Sequence, residues 1–231
     1  AGLIDGGGCL LLSKKVYGSL EITMGLQDEH ALNIIKQKLG GSIKLRSGVK
    51  ALRYRLHNTQ GMIELIKRIN GLIRHSIRRK QLQILCNHYN ISFIEPILLD
   101  INNSWFAGFF DADGCIYLKK NVPKAGSNVN LQLSISVTNK YLEDVQAFKT
   151  IFNGNIYYDK SQNGYYKWVI SDKQDILNLM EYFKKHTIHS NKKQRFHLVP
   201  LYYELKSIKA HQSYIDSNQY KAWLSFVNKW G

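Results

Sequence analysis

Acidic side chains are scarce in this chain. Asp and Glu together number 17 against 32 Lys and Arg, for a formal net charge of +15 and a pI near 9.6. An imbalance of that size points to a polyanionic partner, nucleic acid first and an anionic membrane second. Cysteine is also rare. Cys9, Cys86 and Cys115 are odd in number and none stands in a C-x-x-C spacing, which argues against a disulfide framework or a zinc site and fits a reducing compartment. Cys9 and Cys115 read as small buried hydrophobes at strand starts. No apolar run approaches the ~18 residues of a membrane-spanning helix, and no basic amphipathic helix stands out, so nucleic acid is the better reading and no membrane is expected. Catalytic signatures are missing too. Gly6-Gly7-Gly8 lacks the following Gly-Lys-Ser/Thr of a phosphate loop and ends a helix instead of opening one. No Gly-x-Ser-x-Gly or His-Glu-x-x-His occurs, and the eight histidines form no ligand cluster.

What the chain does have is an internal repeat, and 231 residues at 44% hydrophobic, enough for a sizeable core in one domain or two small ones. Ala1–Gly8 (AGLIDGGG) and Phe106–Gly114 (FAGFFDADG) each carry Ala-Gly, two apolar residues, an Asp and a closing Gly followed by Cys and a strand-like run. Small residues one turn before a Gly-terminated end let two such helices approach almost backbone to backbone. The copies differ at one chemically loaded place: Asp113 in the second stands where the first has Gly7.

Downstream, each half repeats the same order. In the first, strands at Cys9–Lys14 and Ser19–Leu26 alternate apolar and polar residues. Asp28 reads as the N-cap of a helix over Glu29–Leu39 that ends at Gly40-Gly41. Strands Ser42–Arg46 and Leu52–His57 follow, then a helix from about Gln60 to Ile73. The second half matches it: Gly8 with Gly114 at an offset of 106, Leu20/Ile22/Met24/Leu26 with Leu131/Leu133/Ile135/Val137 at 111, Gly41 with Gly154 at 113 and His75-Ser76 with His189-Ser190 at 114. The expected fold is therefore α+β, two αββαββα repeats forming a closed pseudo-twofold body. Residues 1–90 make the N-terminal repeat, 91–101 a linker with Pro96, and 102–231 the C-terminal repeat with helices at Arg195–Lys209 and Gln219–Trp230.

On the strand faces turned away from the helices, Lys44, Arg46, Arg53 and Arg55 recur at period two. A basic stripe on a twisted sheet suits the DNA major groove. The second half offers Lys119, Lys120, Gln132, Ser134, Tyr165 and Lys167, a less charged set. Basic helical segments around Arg78 and Arg79, and around Lys192, are further candidates for contacting RNA, whose deep, narrow major groove a β-saddle cannot enter.

The doubled motif resembles the LAGLIDADG family of homing endonucleases and intron maturases, and the resemblance extends over nearly all of the chain. It implies a saddle of two four-stranded antiparallel sheets with the motif helices at the centre, straddling a duplex DNA site of the homing type. It implies divalent-metal (Mg2+) cleavage by one acid from each motif, supported by a basic residue near each sheet's end. The acid falls on Asp113, also the metal ligand, and on Gly7, which has no carboxylate. The basic residues fall approximately on Lys80 and Lys193, with Arg79 and Lys192 as neighbours. Asp5 cannot stand in for the lost acid, because residues two apart on a helix project about 200° apart. The expectation is a weakened Mg2+ site without double-strand cleavage, in an RNA-binding maturase that assists splicing of a group I intron. The alternative is a DNA endonuclease or nickase. A start within the motif, without an initiator Met, fits a piece of a longer product, and the abundance of Asn, Ile, Lys and Tyr fits AT-rich codons. Both accord with a mitochondrial matrix protein acting as a monomer with internal pseudo-symmetry. By resemblance alone, a cytochrome b intron is the expected host.

Overall fold

The computed structural model describes residues 1–119, 131–161 and 163–231; Lys120 lies outside them. The first half runs α1 (Gly2–Gly7), β1 (Gly8–Leu12), β2 (Gly18–Gly25), α2 (Glu29–Leu39), β3 (Ser42–Leu45), β4 (Ala51–Leu56), α3 (Thr59–Ile69) and α4 (Ser76–His88). The second repeats it as α5 (Trp105–Asp113), β5 (Gly114–Lys119), β6 (Gln132–Asn139), α6 (Glu143–Phe152), β7 (Asn155–Asp159), β8 (Tyr165–Ile170), α7 (Lys173–Lys185) and α8 (Lys192–Ser207), and adds α9 (Asn218–Trp230). Each half holds one antiparallel sheet, in the orders β1-β2-β4-β3 and β5-β6-β8-β7. This is the expected α+β saddle, with the basic helical segments around Arg78 and Lys192 forming α4 and α8 beyond the αββαββα order. Of these, α4 buries only Leu82, Leu85 and Cys86, a narrow stripe among its cations.

Alternation along the strands sorts the residues. Leu10, Leu20, Ile22, Tyr54 and Leu56 point under the helices and are buried, as are Ile116, Leu133, Ile135, Trp168 and Ile170 in the other sheet. The buried apolar residues form two clusters, one from Ile4 to Cys86 and one from Trp105 to Trp230. In the second, Phe106 packs against Phe148, Phe152 and Trp168.

One alignment needs correcting. Gly8 lies opposite Ile22 in the first sheet and Gly114 opposite Val137 in the second, so Ile22 corresponds to Val137 at an offset of 115, not to Leu133 at 111. Hydrophobic alternation repeats every two residues, so it fixes the face of a strand but not its register. The slip of four is even, and every side chain stays on the expected face.

At the centre α1 and α5 touch through their backbones. A Cβ on Gly2 would sit 1.8 Å from the carbonyl oxygen of Trp105, and one on Gly108 would sit 3.0 Å from the amide of Leu3. The halves are also clasped reciprocally. Ser76 donates its amide (2.7 Å) and hydroxyl (2.8 Å) to the Asp144 carboxylate, and His75 Nε2 lies 3.2 Å from Asn139 Oδ1. In the other direction, the amide of Asn191 donates to Asp28 at 2.7 Å. Asp28 does sit at the N-cap of α2, but its side chain makes no cap bond there and instead secures the other half.

Candidate functional site

Two carboxylates in the motif helices have structural work. Asp111 accepts from the amides of His189 (3.0 and 2.9 Å) and Ser190 (2.8 Å), holding the entry to α8. Asp5 accepts at Oδ2 from the Arg74 amide and the Trp105 indole, both at 2.8 Å, holding the entry to α4. Burial is the main influence on Asp5 and raises its pKa, with those donors opposing. Asp5 is committed to these donors and does not stand beside Asp113.

That tip is formed by the last residues of α1 and α5, Gly7 and Asp113. The Asp113 side chain is open to solvent at its end, yet crowded by protein: its Cγ would lie 3.6 Å from a Cβ on Gly6. Desolvation pushes its pKa up to about 6, against the pull of Lys192 and Arg78. A cleft of about 510 Å³ beside it is lined by His75, Thr138, Asn139, Lys140, Gly164 and Tyr165.

The cations that bear on Asp113 are one alternative within the approximate mapping, Lys192, and one residue outside it, Arg78. Lys80 and Lys193 lie on exposed positions of α4 and α8, and Lys193 borders a groove on the side of Phe196 and Pro200. Arg78 and Lys192 are the ones that act on Asp113. They are related by the constant offset of 114 that joins His75 to His189, and extending that offset by three residues would have found them. Lys192 is already engaged: its Nζ donates to the carbonyls of Phe110 (3.0 Å), Asp111 (2.6 Å) and Ala112 (3.0 Å). It caps the α5 C-terminus, where free carbonyls and the helix dipole favour a cation. Burial lowers its pKa, opposed by Asp111, Asp28, Asp113 and Cys115.

These groups do not fit a two-metal centre, which needs oxygen ligands around both the attacking and leaving oxygens. Gly7 offers no side chain, and the carbonyls next to Asp113 are held by an ammonium. Among the described residues no group of three His, Cys, Asp or Glu side chains is disposed to hold a metal.

The outer sheet faces differ between halves. In the first, Lys44 and Arg55 are exposed and Arg53 half-buried, with Arg46 in the turn just past β3. Glu21 sits among them, 3.0 Å from Arg55 Nε and 3.8 Å from Arg53 Nη1, so an intramolecular ion pair offsets part of the stripe. By strand register, Tyr157 stands at the position of Lys44, Lys167 at that of Arg53, and Val169 at that of Arg55. Lys119, Gln132, Ser134, Tyr165 and Lys167 share this outer face, which carries far less charge. Of the helical candidates, Arg78 bonds Gln81 at 3.1 Å and Arg79 pairs with Glu95. Arg74 donates to the carbonyl of Ile97 at 3.1 Å and lies over the Trp105 ring.

Known proteins share this architecture. A family model described as "LAGLIDADG endonuclease" matches residues 106–203. Over the whole chain the sequence is 49% identical to a "Probable intron-encoded endonuclease aI2" of Debaryomyces hansenii and 48% identical to the "Intron-encoded RNA maturase bI4" of Saccharomyces cerevisiae, spanning 36% of each. It is 34% identical to the "Intron-encoded DNA endonuclease ai2b" of Dictyostelium discoideum, again over the whole chain and 87% of that protein. Among solved structures, the meganuclease I-SmaMI bound to uncleaveable DNA superposes with a TM-score of 0.72 at 17% identity, covering 100% of this chain and 95% of that one.

Proposed function

The chain belongs to the LAGLIDADG family, and from that premise we propose that it is a non-cleaving, RNA-binding maturase domain that assists splicing of a group I intron in the mitochondrial matrix. One observation carries the reading. The paired-helix tip presents a single carboxylate, Asp113, opposite Gly7, and the cation beside it, Lys192, is bonded to three main-chain carbonyls. In-line cleavage of two strands calls for an acid and metal at each scissile phosphate, and half of that equipment is missing. What remains is a body of net charge +15 with a broad saddle, which is equipment for binding. The relatives are named for both activities, so the chain's own residues have to decide between them.

The test has two arms. Splicing of the host intron at low magnesium is measured with and without protein, and acceleration is expected. Incubation with the intronless DNA target and Mg2+ or Mn2+ is expected to leave the duplex uncut on at least one strand; efficient double-strand cleavage would overturn the reading. Nicking of one strand is the outcome that favours the second reading, a nickase using Asp113 alone.

A further inference from the structure

The two sheets share a backbone and differ in what their outer faces offer. Where the first sheet has Leu11 and Lys44, the second has Tyr117 and Tyr157. Both tyrosines are more than half exposed, at 55% and 57%, on strands whose alternate residues are core. Among the described residues neither ring makes a hydrogen bond or ring contact, and both stand on the sheet face away from the core. Tyr165 is the third ring of the face. Its hydroxyl donates to Asp159 at 2.8 Å, which fixes its orientation. Asp159 and Tyr165 are directly paired, so Tyr157 is the diagonal neighbour of Tyr165, a separation of about 7–8 Å. Lys167 is paired with Tyr157, and Lys119 lies two residues beyond Tyr117. Tyr165 borders the Asp113 cleft at the saddle's centre.

Exposed rings with lysines between them are the recognition chemistry of single strands. Every base has a face that stacks on an aromatic ring, and the lysines track the phosphates. A duplex hides those faces. We propose that the outer face of the second sheet, built on Tyr117, Tyr157 and Tyr165 with Lys119 and Lys167, is a stacking platform for unpaired bases of structured RNA. The arginine-rich first sheet holds phosphates of paired segments. This rests on the RNA-binding reading above and assigns it a surface. It also gives each of the two unlike faces a target, because a folded RNA displays paired and unpaired stretches side by side.

The experiment uses the whole protein and two labelled probes, a single-stranded oligouridine and a DNA duplex of equal length, read by fluorescence anisotropy at fixed salt. Replacing both exposed rings, Tyr117→Ala with Tyr157→Ala, is expected to weaken oligouridine binding about tenfold or more and duplex binding by less than about twofold. The pair Tyr117→Phe with Tyr157→Phe keeps the rings and is expected to bind oligouridine like the wild type. Unchanged oligouridine affinity in the alanine variant, equal losses on both probes, or a phenylalanine variant as weak as the alanine one would each overturn the platform. Photocrosslinking of oligouridine to the wild type needs no variant to fold: adducts at Tyr117 or Tyr157 are expected, and adducts confined to the first sheet would overturn it. A protein that binds neither probe overturns the RNA-binding reading itself. A protein that binds oligouridine equally well without the rings overturns this inference alone.

Discussion

The buried carboxylate of Asp5 accepts a hydrogen bond at 2.8 Å from the indole of Trp105, 100 residues further along the chain. Tyr182 extends the join by donating its hydroxyl to the Asn103 carbonyl at 2.8 Å while accepting from the Ala107 amide. The motif helices are thus held by polar bonds at one end and by missing side chains along their shared face. Replacing Trp105 with Phe keeps an aromatic ring but removes the donor. A buried carboxylate left short of a partner costs about 1–3 kcal/mol. The folded pKa of Asp5 is already raised by burial, and removing the indole raises it further, so the folded state holds the proton more tightly than the unfolded chain. The unfolded chain is common to both proteins, so the deficit of Trp105→Phe should grow as pH rises through the raised folded pKa of Asp5. Urea denaturation at pH 4 and pH 7.5 checks this; an equal deficit at both would contradict it.

Asp113 gives the cleaner titration. With its pKa near 6 in the fold against about 3.9 in the unfolded chain, its contribution to stability is full below the lower value and is lost as pH rises to the upper one. Asp113→Asn is expected to be more stable than the wild type at pH 7.5, by about 1 kcal/mol once solvent screening at the open carboxylate tip is allowed for. The gain should vanish near pH 4. Thermal melts across that range would show it as a Tm difference of about 2–4 °C at the alkaline end.

Glycines in α1 divide by what a methyl group would meet. Gly2→Ala drives Cβ to 1.8 Å from the Trp105 carbonyl, a main-chain clash that should cost more than about 3 kcal/mol or prevent folding. Gly7 meets only Ala112 Cβ, at 3.2 Å, and Gly7→Asp is expected to fold. Its new carboxylate beside Asp113 should lower Tm at neutral pH through like-charge repulsion, and acid or millimolar Ca2+ should restore much of the loss. A Tm unaffected by either would show that the two carboxylates do not meet.

Glu21 restrains two of the saddle's arginines. Glu21→Gln should free Arg53 and Arg55 and tighten duplex binding at low salt. Arg53→Ala with Arg55→Ala should instead reduce the log-log salt slope by up to about 1.8, at ~0.9 for each phosphate left without its cation. Salt titrations of the two variants against one duplex give both numbers; an unchanged slope in the arginine variant would place the phosphate-binding cations elsewhere.

The repeat, the helix pair, the strand faces and the Gly7/Asp113 difference between the two motif copies were legible in the residues, because each depends on local pattern. Alternation assigns a side to every strand residue whatever its partner, and Ala-Gly before a capping Gly announces a close helix approach. Three matters needed tertiary structure. Strand register came out at 115 instead of 111, since period-two alternation is blind to even slips and turn geometry settles it. The cations that bear on Asp113 are Arg78 and Lys192; the approximate mapping centred on Lys80 and Lys193 held Lys192 as a neighbouring alternative, and the folded entry to each helix, pinned by Asp5 and Asp111, decides among neighbours that chain spacing leaves equal. Asp28 and Glu21 look in sequence like a helix cap and a stray acid. In the fold their carboxylates meet Asn191 in the other half and Arg55 on the neighbouring strand, partners that chain spacing alone does not specify. Local periodicity sets which face a residue occupies, and long-range packing sets what it finds there.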